Sequence, residues 1–301
     1  MTAPQITPLL LPSEYNAAVV SGAFSEVNVN QQLQWIIQAS DYIQAACRRR
    51  FDERVETRRY TSFLERDGGD LETQWTLLLD DDLRDAQAVY QRVPVGVAVV
   101  ITDGIEIPLS TLRLLTSNRF IGTDVRAYDT IHINQFSGLM FNFGGVDPYE
   151  SIWVQGLWGY GGQWVDTTTT VSTQQDASTT SLVVASGGSL EAGMMLKIGT
   201  EYEYVKSISG NTATVSRATR GSTAAVHGAG VIVYRWQSLP VVQDLVRRLV
   251  QWKLEQVKSP MAGNTTVGDF SFPVNTSGLP ADLYLILRDT AIQRLPMAKG
   301  V

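Results

Sequence analysis

The chain of 301 residues contains a single cysteine, Cys47, and only two histidines, His132 and His227. One cysteine excludes an intramolecular disulfide, and with two histidines the chain cannot build a Cys/His zinc site by itself. It also lacks an uninterrupted apolar run of about 18 residues, the length that spans a bilayer. The N-terminus has no positive segment ahead of its short leucine run, so we expect no secretion signal.

Basic residues are not in excess either, because 24 Lys and Arg face 30 Asp and Glu, for a formal charge of −6. This balance argues against a protein whose main task is to grip phosphate backbones, since that requires clustered Lys and Arg. The apolar and charged fractions are those of a folded protein with one large or two moderate domains. We therefore expect a soluble protein that does not associate with membranes.

Four regions follow one another with different residue patterns. Apolar residues at helical spacing predict helices over about 13–20 and 30–51. Short runs rich in Val, Ile, Tyr, Phe and Trp then predict strands from about residue 55 to residue 164, including Trp75–Leu79, Ala88–Val93 and Leu139–Phe143. Residues 109–117 fit either a strand end or a helical turn.

The third region, about 167–236, is rich in Ser, Thr, Gly and Val and predicts a small β module. Helical spacing returns after Pro240, which suits a first helical position, and a last helix begins at Pro280. This order predicts an α+β fold, in which a helical domain with a β-rich part is interrupted by an all-β inserted module. The predicted boundaries are 1–165 and 237–301 for the helical domain and 166–236 for the insertion.

Motifs that carry chemistry are absent from the sequence, including phosphate-binding loops, nucleophile elbows and paired metal ligands. The densest acidic run, Asp80-Asp81-Asp82 with Asp85 beyond it, is interpreted as a solvated loop end rather than a cation site. His132 alternates with Ile131 and Ile133 and is expected to face away from them. We expect no enzymatic activity, no metal and no cofactor.

Several short motifs follow one another along the chain: Ala39–Ile43 through Cys47–Phe51, Thr57–Tyr60, Leu78–Leu83, Val154–Gly161 with Trp158, Gly159 and Tyr160, Leu239-Pro240 with the helix after it, Val267–Phe270, and Gly278–Pro280. Their order resembles the head-to-tail connector, or adaptor, proteins of long-tailed bacteriophages. The chain departs from the family pattern in its length, because the β module separates the Trp-Gly-Tyr strand from the helix that begins at Pro240.

The resemblance implies a structural virion protein at the neck, where the portal vertex of the head joins the tail, with assembly in the host cytoplasm. It would form a ring of twelve copies that binds the portal, extends the DNA channel without sequence-specific contacts, and meets a stopper or tail terminator on its other side. The residues implied for portal binding are Leu279, Arg288, Arg294, Leu295, Pro296, Met297 and Lys299.

The β module resembles small β modules of phage virion proteins through Gly199-x-Glu201-Tyr202-x-Tyr204-Val205, Ser209–Thr212, and Arg217 through His227 to Gly230. Two alternatives remain open. One is a tail or baseplate protein whose module binds host-surface carbohydrate through aromatics such as Tyr202, Tyr204 and Trp236. The other is a carboxylate-metal enzyme that acts on nucleic acid or cell wall through Asp80–Asp82.

Overall fold

A computed structural model describes residues 7–18, 27–62, 69–94, 96, 99–116, 127–142 and 146–258. They form two compact units. The sheet unit comprises the described residues of Glu53–Gly161, and the barrel unit comprises those of Met1–Asp52 and Gly162–Arg294. The helices of the described part are α1 (Pro12–Ala18), α2 (Val29–Cys47) and α3 (Pro240–Lys258), all in the barrel unit.

Helix α2 begins and ends at recognisable capping residues. The side chain of Asn28 accepts a hydrogen bond from the Asn30 amide at 2.9 Å, which satisfies one free donor of the first turn. At the other end Arg48 adopts a left-handed conformation with φ 52°, so the helix stops at Cys47, short of the predicted Phe51. Its apolar stripe, including Ile36 and Ile43, is buried as predicted.

Helix α3 begins at Pro240 as predicted, since a proline at the first helical position loses no hydrogen bond. Its buried side chains recur at three- and four-residue spacing: Val242, Leu245, Val246, Leu249 and Val250. Helices α2 and α3 contact each other. The predicted last helix from Pro280 lies outside the described residues.

The sheet unit holds one antiparallel sheet in the order β1-β7-β3-β6-β5, with β2 and β4 also paired to β3. Its strands are β1 (Arg54–Tyr60), β2 (Leu71–Thr73), β3 (Thr76–Gln91), β4 (Ile105–Glu106), β5 (Leu112–Leu115), β6 (Tyr128–Ile133) and β7 (Ile152–Trp158). A 3₁₀ turn over Leu109–Thr111 precedes β5, so residues 109–117 contain both structures that the sequence left open. The predicted strand at Leu139–Phe143 is wrong over its described residues.

Strand β3 corrects the prediction for the acidic run. Thr76–Gln91 is continuous and joins the two strands predicted at Trp75–Leu79 and Ala88–Val93. The three aspartates therefore lie in the middle of a strand rather than in a loop. Irregular register between Leu78 and Leu83 marks a bulge in the pairing with β6, and such bulges bend a strand. The bent strand contributes Leu77, Leu79, Leu83 and Val89 to one buried core.

The barrel unit contains a second antiparallel sheet, in the order β8-β13-β10-β11-β12-β9. Its strands are β8 (Gln163–Thr170), β9 (Ser181–Val183), β10 (Met195–Ile198), β11 (Glu201–Ser209), β12 (Thr212–Ser216) and β13 (Ile232–Gln237). A bridge between Val171 and Val184 joins the two outermost strands, and the Ser172 amide donates to the Val183 carbonyl at 2.8 Å. The sheet thus closes into a small barrel around an aliphatic core.

The expectation of an α+β fold with a helical connector domain is wrong, because the described chain is mostly β-sheet. The physical reason is that each sheet buries a core built mainly from its own strands. The described helices belong to the barrel unit and do not form a helical domain of their own. The predicted insertion at 166–236 stays a prediction, although the barrel strands span Gln163–Gln237.

Candidate functional site

The end of the barrel formed by strand β11 contains a buried cluster of charged side chains. Glu201 and Glu203 lie two residues apart on one strand, so both side chains point to the face that carries Val205 of the barrel core. Both glutamates are 0% exposed. A carboxylate in such a place is stable only if it is paired and hydrogen-bonded.

Arg217, just after β12, supplies the paired cation. Its Nη2 lies 2.6 Å from Oε2 of Glu201, and its Nε lies 2.7 Å from Oε1 of Glu203. The guanidinium also donates to the backbone carbonyls of Asp176 and Thr179, at 2.7 and 3.0 Å. One planar cation therefore ties two acidic side chains of β11 to the segment after β8.

Glu201 is the acceptor shared by most groups of the cluster. Besides Arg217, it accepts hydrogen bonds from the amides of Ala218 at 3.0 Å and Ala225 at 2.8 Å. Nε2 of His227 lies 2.9 Å from its Oε2. Burial by itself would raise the pKa of this carboxyl, but the hydrogen bonds from Arg217, Ala225, Ala218 and His227 outweigh it and lower the pKa to about 2.

The pKa of Glu203 is shifted in the opposite direction. Burial raises the pKa of Glu203 to about 7, and the charge of Glu201 adds to the effect while Arg217 opposes it. Gln175 donates to its Oε2 at 3.4 Å, and His227 Nε2 lies 3.8 Å from its Oε1. The two carboxyls differ in pKa because burial dominates at Glu203, whereas the hydrogen bonds from Arg217 and the backbone amides dominate at Glu201.

The segment from Arg217 to Gly228, which we name the cover, holds strained backbone next to this cluster. Ala218 and Arg220 have φ of 50° and 55°, a left-handed conformation that L-residues rarely adopt and that costs about 1 kcal/mol each. The Thr219 amide donates to the Tyr202 carbonyl at 3.0 Å, and the His227 amide donates to Gln175 at 3.0 Å. These bonds and those to Glu201 hold the strained segment in place.

Glu201, Glu203 and His227 form a group with metal-ligand chemistry, since their ligand atoms lie within 4.8 Å of one another. The donor set does not fit a metal ion, however, because the Arg217 guanidinium already contacts both carboxylates and would repel a second cation. Two carboxyls of different pKa also suit acid–base catalysis. Complete burial leaves neither carboxyl open to a substrate in this arrangement.

Sequence reasoning missed this cluster, because nothing within a few residues of His227 indicates a partner for its side chain. A signal was present. Glu201, Arg217 and His227 all lie in the motifs by which the β module resembles phage β modules, and the fold brings them within hydrogen-bond distance. His132 behaves as predicted: it faces away from buried Ile131 and Ile133, with its Nδ1 3.1 Å from Thr76 Oγ1.

The sheet unit has a second cluster, built around Arg58 on β1. Its Nη2 lies 2.7 Å from Asp81 Oδ2 and 2.9 Å from Glu56 Oε2, and its Nη1 lies 3.5 Å from Asp80 Oδ1. The guanidinium carbon lies 4.5 Å from the ring centroid of buried Trp158, a cation–π distance. The acidic run of β3 therefore forms ion pairs with Arg58.

Tyr60 and Trp158 complete the Arg58 cluster. The Tyr60 hydroxyl donates to Asp80 Oδ1 at 2.8 Å, and burial together with the Asp80 carboxylate raises the pKa of this phenol. The Tyr60 and Trp158 rings stack with centroids 6.5 Å apart. Nε1 of Trp158 donates to the Glu56 carbonyl at 3.0 Å, which satisfies its polar atom.

The other residues of the predicted sites have varied locations. Gly159 has φ 132°, and its amide donates to the Asp82 carbonyl at 2.8 Å. Tyr160 is half-buried, and Pro240 opens α3. The residues predicted to bind the portal lie outside the described part of the chain: Leu279, Arg288, Arg294, Leu295, Pro296, Met297 and Lys299.

The aromatics suggested for carbohydrate binding are buried rather than displayed. Tyr202, Tyr204 and Trp236 are 2, 6 and 7% exposed. Trp164 stacks on Tyr202 at 5.2 Å between ring centroids and meets the Trp236 ring edge-on at 5.0 Å. A shallow hollow of about 400 Å³ beside Trp164 is also lined by Lys197, Gly199, Val231, Ile232 and Tyr234.

Cys47 lies in the core of the barrel unit, 0% exposed. Burial raises the pKa of its thiol to about 12, and Arg49 only partly opposes this shift. Because the thiolate is the reactive form, the thiol is inert in the folded protein.

Comparison with known proteins returned no matching family model, no matching curated sequence and no matching solved structure. Within the described residues, no helix combines the length and the apolar character needed to cross a membrane.

Proposed function

We propose that this chain is a structural virion protein that forms a ring between the portal vertex of a phage head and the tail. The observation that carries the proposal is the convergence of separate motifs on one cluster. Arg58, Asp80, Asp81 and Trp158 come from three of the motifs that resemble phage connectors, and they make direct ion-pair and cation–π contacts. Motifs that are far apart in sequence and meet in space indicate one shared architecture.

A second convergence supports the proposal. The motif at Ala39–Phe51 includes the end of α2, and the motif at Leu239-Pro240 opens α3, and these two helices pack together. Lys253 of α3 donates a hydrogen bond to Gln38, and its ammonium lies 5.8 Å from the Trp35 ring. The helical motifs therefore also form one local structure.

The charge of the chain suits a wall along which DNA slides. Each copy carries a formal charge of −6, so a ring of twelve would carry about −72. A wall of like charge repels the phosphate backbone and keeps the duplex from sticking. In this proposal the ring extends the channel and offers a docking surface to a stopper or tail terminator, with the barrel on its outer side.

The test combines the chain with purified portal protein and images the complex by negative-stain electron microscopy. The proposal expects a co-axial ring on the portal, and a variant that ends at Leu295 is expected to lose portal binding. A matched control is Glu72→Gln, an exposed acid of the sheet unit, which should leave the ring unchanged. Free monomers in the presence of portal would count against the proposal, and full portal binding by the truncated chain would overturn the assigned grip.

The aromatic residues suggested for carbohydrate binding do not form an open sugar-binding surface. All three are buried, with Tyr202 and Trp236 both contacting Trp164 or the backbone of the barrel unit. A sugar stacks on an aromatic face that is open to solvent, and these residues offer little such area.

A further inference from the structure

The cover is held at one end of the barrel partly by bonds to Glu201 and Glu203, and partly by bonds to the Tyr202 and Gln175 carbonyls and to Asp52. Arg217, Ala218, Ala225 and His227 each contact Glu201 at 2.6 to 3.0 Å. The backbone of the cover is also strained at Ala218 and Arg220, so the cover needs these bonds to keep its conformation. Weakening the cluster therefore favours release of the cover.

While His227 is neutral, the balance of charge inside the cluster depends on the proton of Glu203. The charged or titratable groups that face Glu203 among the described residues are Glu201 on its own strand, Arg217 after β12 and His227 before β13. Gln175, after β8, is its neutral neighbour. With Glu203 protonated, one carboxylate balances one guanidinium. With Glu203 ionised, a net negative charge is enclosed in a site without solvent, which is unfavourable.

We propose that the cover is a pH-sensitive latch, closed while Glu203 holds a proton and loosened when Glu203 ionises. His227 needs no charge in the closed form, because a neutral ring with hydrogen on Nε2 can donate to Glu201. The open form brings water to Glu203 and relieves the excess charge. The latch is independent of the proposed place of the protein in a virion.

The cover also contacts Thr7 and Asp52 through Arg220. Arg220, within the cover, has its Nε 2.9 Å from Asp52 Oδ2 and 3.1 Å from Thr7 Oγ1. Thr7 in turn donates to Asp52 at 3.2 Å. Loosening the cover therefore weakens the contact of the barrel with Thr7 and Asp52, both buried in the closed form.

The test measures amide hydrogen exchange of the cover in the full chain at pH 6 and pH 8.5, each corrected for the intrinsic exchange rate. A folded-state pKa of about 7 against an ordinary value of 4.5 predicts that protection of the cover falls about tenfold over this range. The amides of Ala218, Thr219, Ala225 and His227 are the reporters, and those of Met195–Ile198 in β10 are the internal reference.

Two variants separate the latch from general loosening. Glu203→Gln keeps the side-chain shape but cannot ionise, so its cover should show the same protection at both pH values. Glu191→Gln changes an acid of the same unit that bonds to the Ser13 amide at 3.1 Å, outside the cluster, and should keep the tenfold fall. Constant protection in the wild-type chain, or a tenfold fall that persists in Glu203→Gln, would overturn the proposal. The wild-type measurement decides even if Glu203→Gln does not fold.

Discussion

Replacing Glu201 with Gln is expected to destabilise the barrel by about 3 kcal/mol at pH 5 and to reduce its sensitivity to acid. The folded-state pKa of Glu201 is about 2, against an ordinary value of 4.5. Because the folded value is lowered, the stabilisation is complete above pH 4.5 and is lost as the pH falls towards 2. The glutamine places an NH₂ group where Arg217, Ala225 and His227 now donate, so it cannot replace the carboxylate.

The assay is urea denaturation with pulsed hydrogen exchange, read on peptides of β10 and β11, so that the barrel is followed separately from the sheet unit. Between pH 4.5 and pH 2 the wild-type chain should lose about 3 kcal/mol more than Glu201→Gln does. Glu203→Gln is the matched control, since it leaves Glu201 in place and should keep the acid-side loss. A Glu201→Gln barrel within 1 kcal/mol of wild type at pH 5, or one that keeps the acid-side loss, would refute the role of Glu201 as the shared acceptor.

Two further predictions use matched pairs within the chain. Arg58→Ala removes the guanidinium that lies 2.7 Å from Asp81 Oδ2 and should lower the unfolding free energy of the sheet unit by about 3 kcal/mol. Arg59→Ala breaks an exposed pair with Glu150 and a cation–π contact with Trp153, and should cost only about 1 kcal/mol. Equal effects in the same assay would argue against the Arg58 cluster. Gly162 has φ 76°, and in Gly162→Ala the new Cβ would lie 2.4 Å from the Trp236 ring. Gly210 has φ 57° but open space around it, so Gly162→Ala should lower the thermal midpoint more than Gly210→Ala does. An equal shift in the two variants would contradict this packing.

Local rules predicted much of the chain. The N-terminal boundary of α3 follows from Pro240, and the burial of its stripe follows from apolar spacing. In the barrel, the region of about 167–236 that the sequence predicts to be a small β module contains strands β9 to β12. The hairpin at Gly210-Asn211 joins β11 to β12, and Gly and Asn are typical residues of such tight turns.

Two of the failures involve contacts between distant segments. The run Asp80–Asp82 was predicted to end a strand because acids disfavour β-structure, but Arg58 of the neighbouring sheet region pairs with two of them and the strand continues. The fold class was wrong for a related reason. The apolar spacing at 30–51 correctly predicts a helix. Spacing does not indicate, however, whether a helix is the main element of a domain or only packs on a closed sheet.

The sequence by itself determined the classes of site that the chain cannot build and the positions of its main helices and barrel strands, because these depend on composition and on neighbours a few residues away. Only the tertiary structure decided that the second sheet closes into a barrel and that Glu201, Glu203, Arg217 and His227 meet at its end. It also decided which carboxyl has the raised pKa, since burial raises the pKa of Glu203 while the hydrogen bonds from Arg217, Ala225, Ala218 and His227 lower that of Glu201. Burial and long-range hydrogen bonding arise only when the chain folds, and they are what turn four scattered polar residues into one cluster.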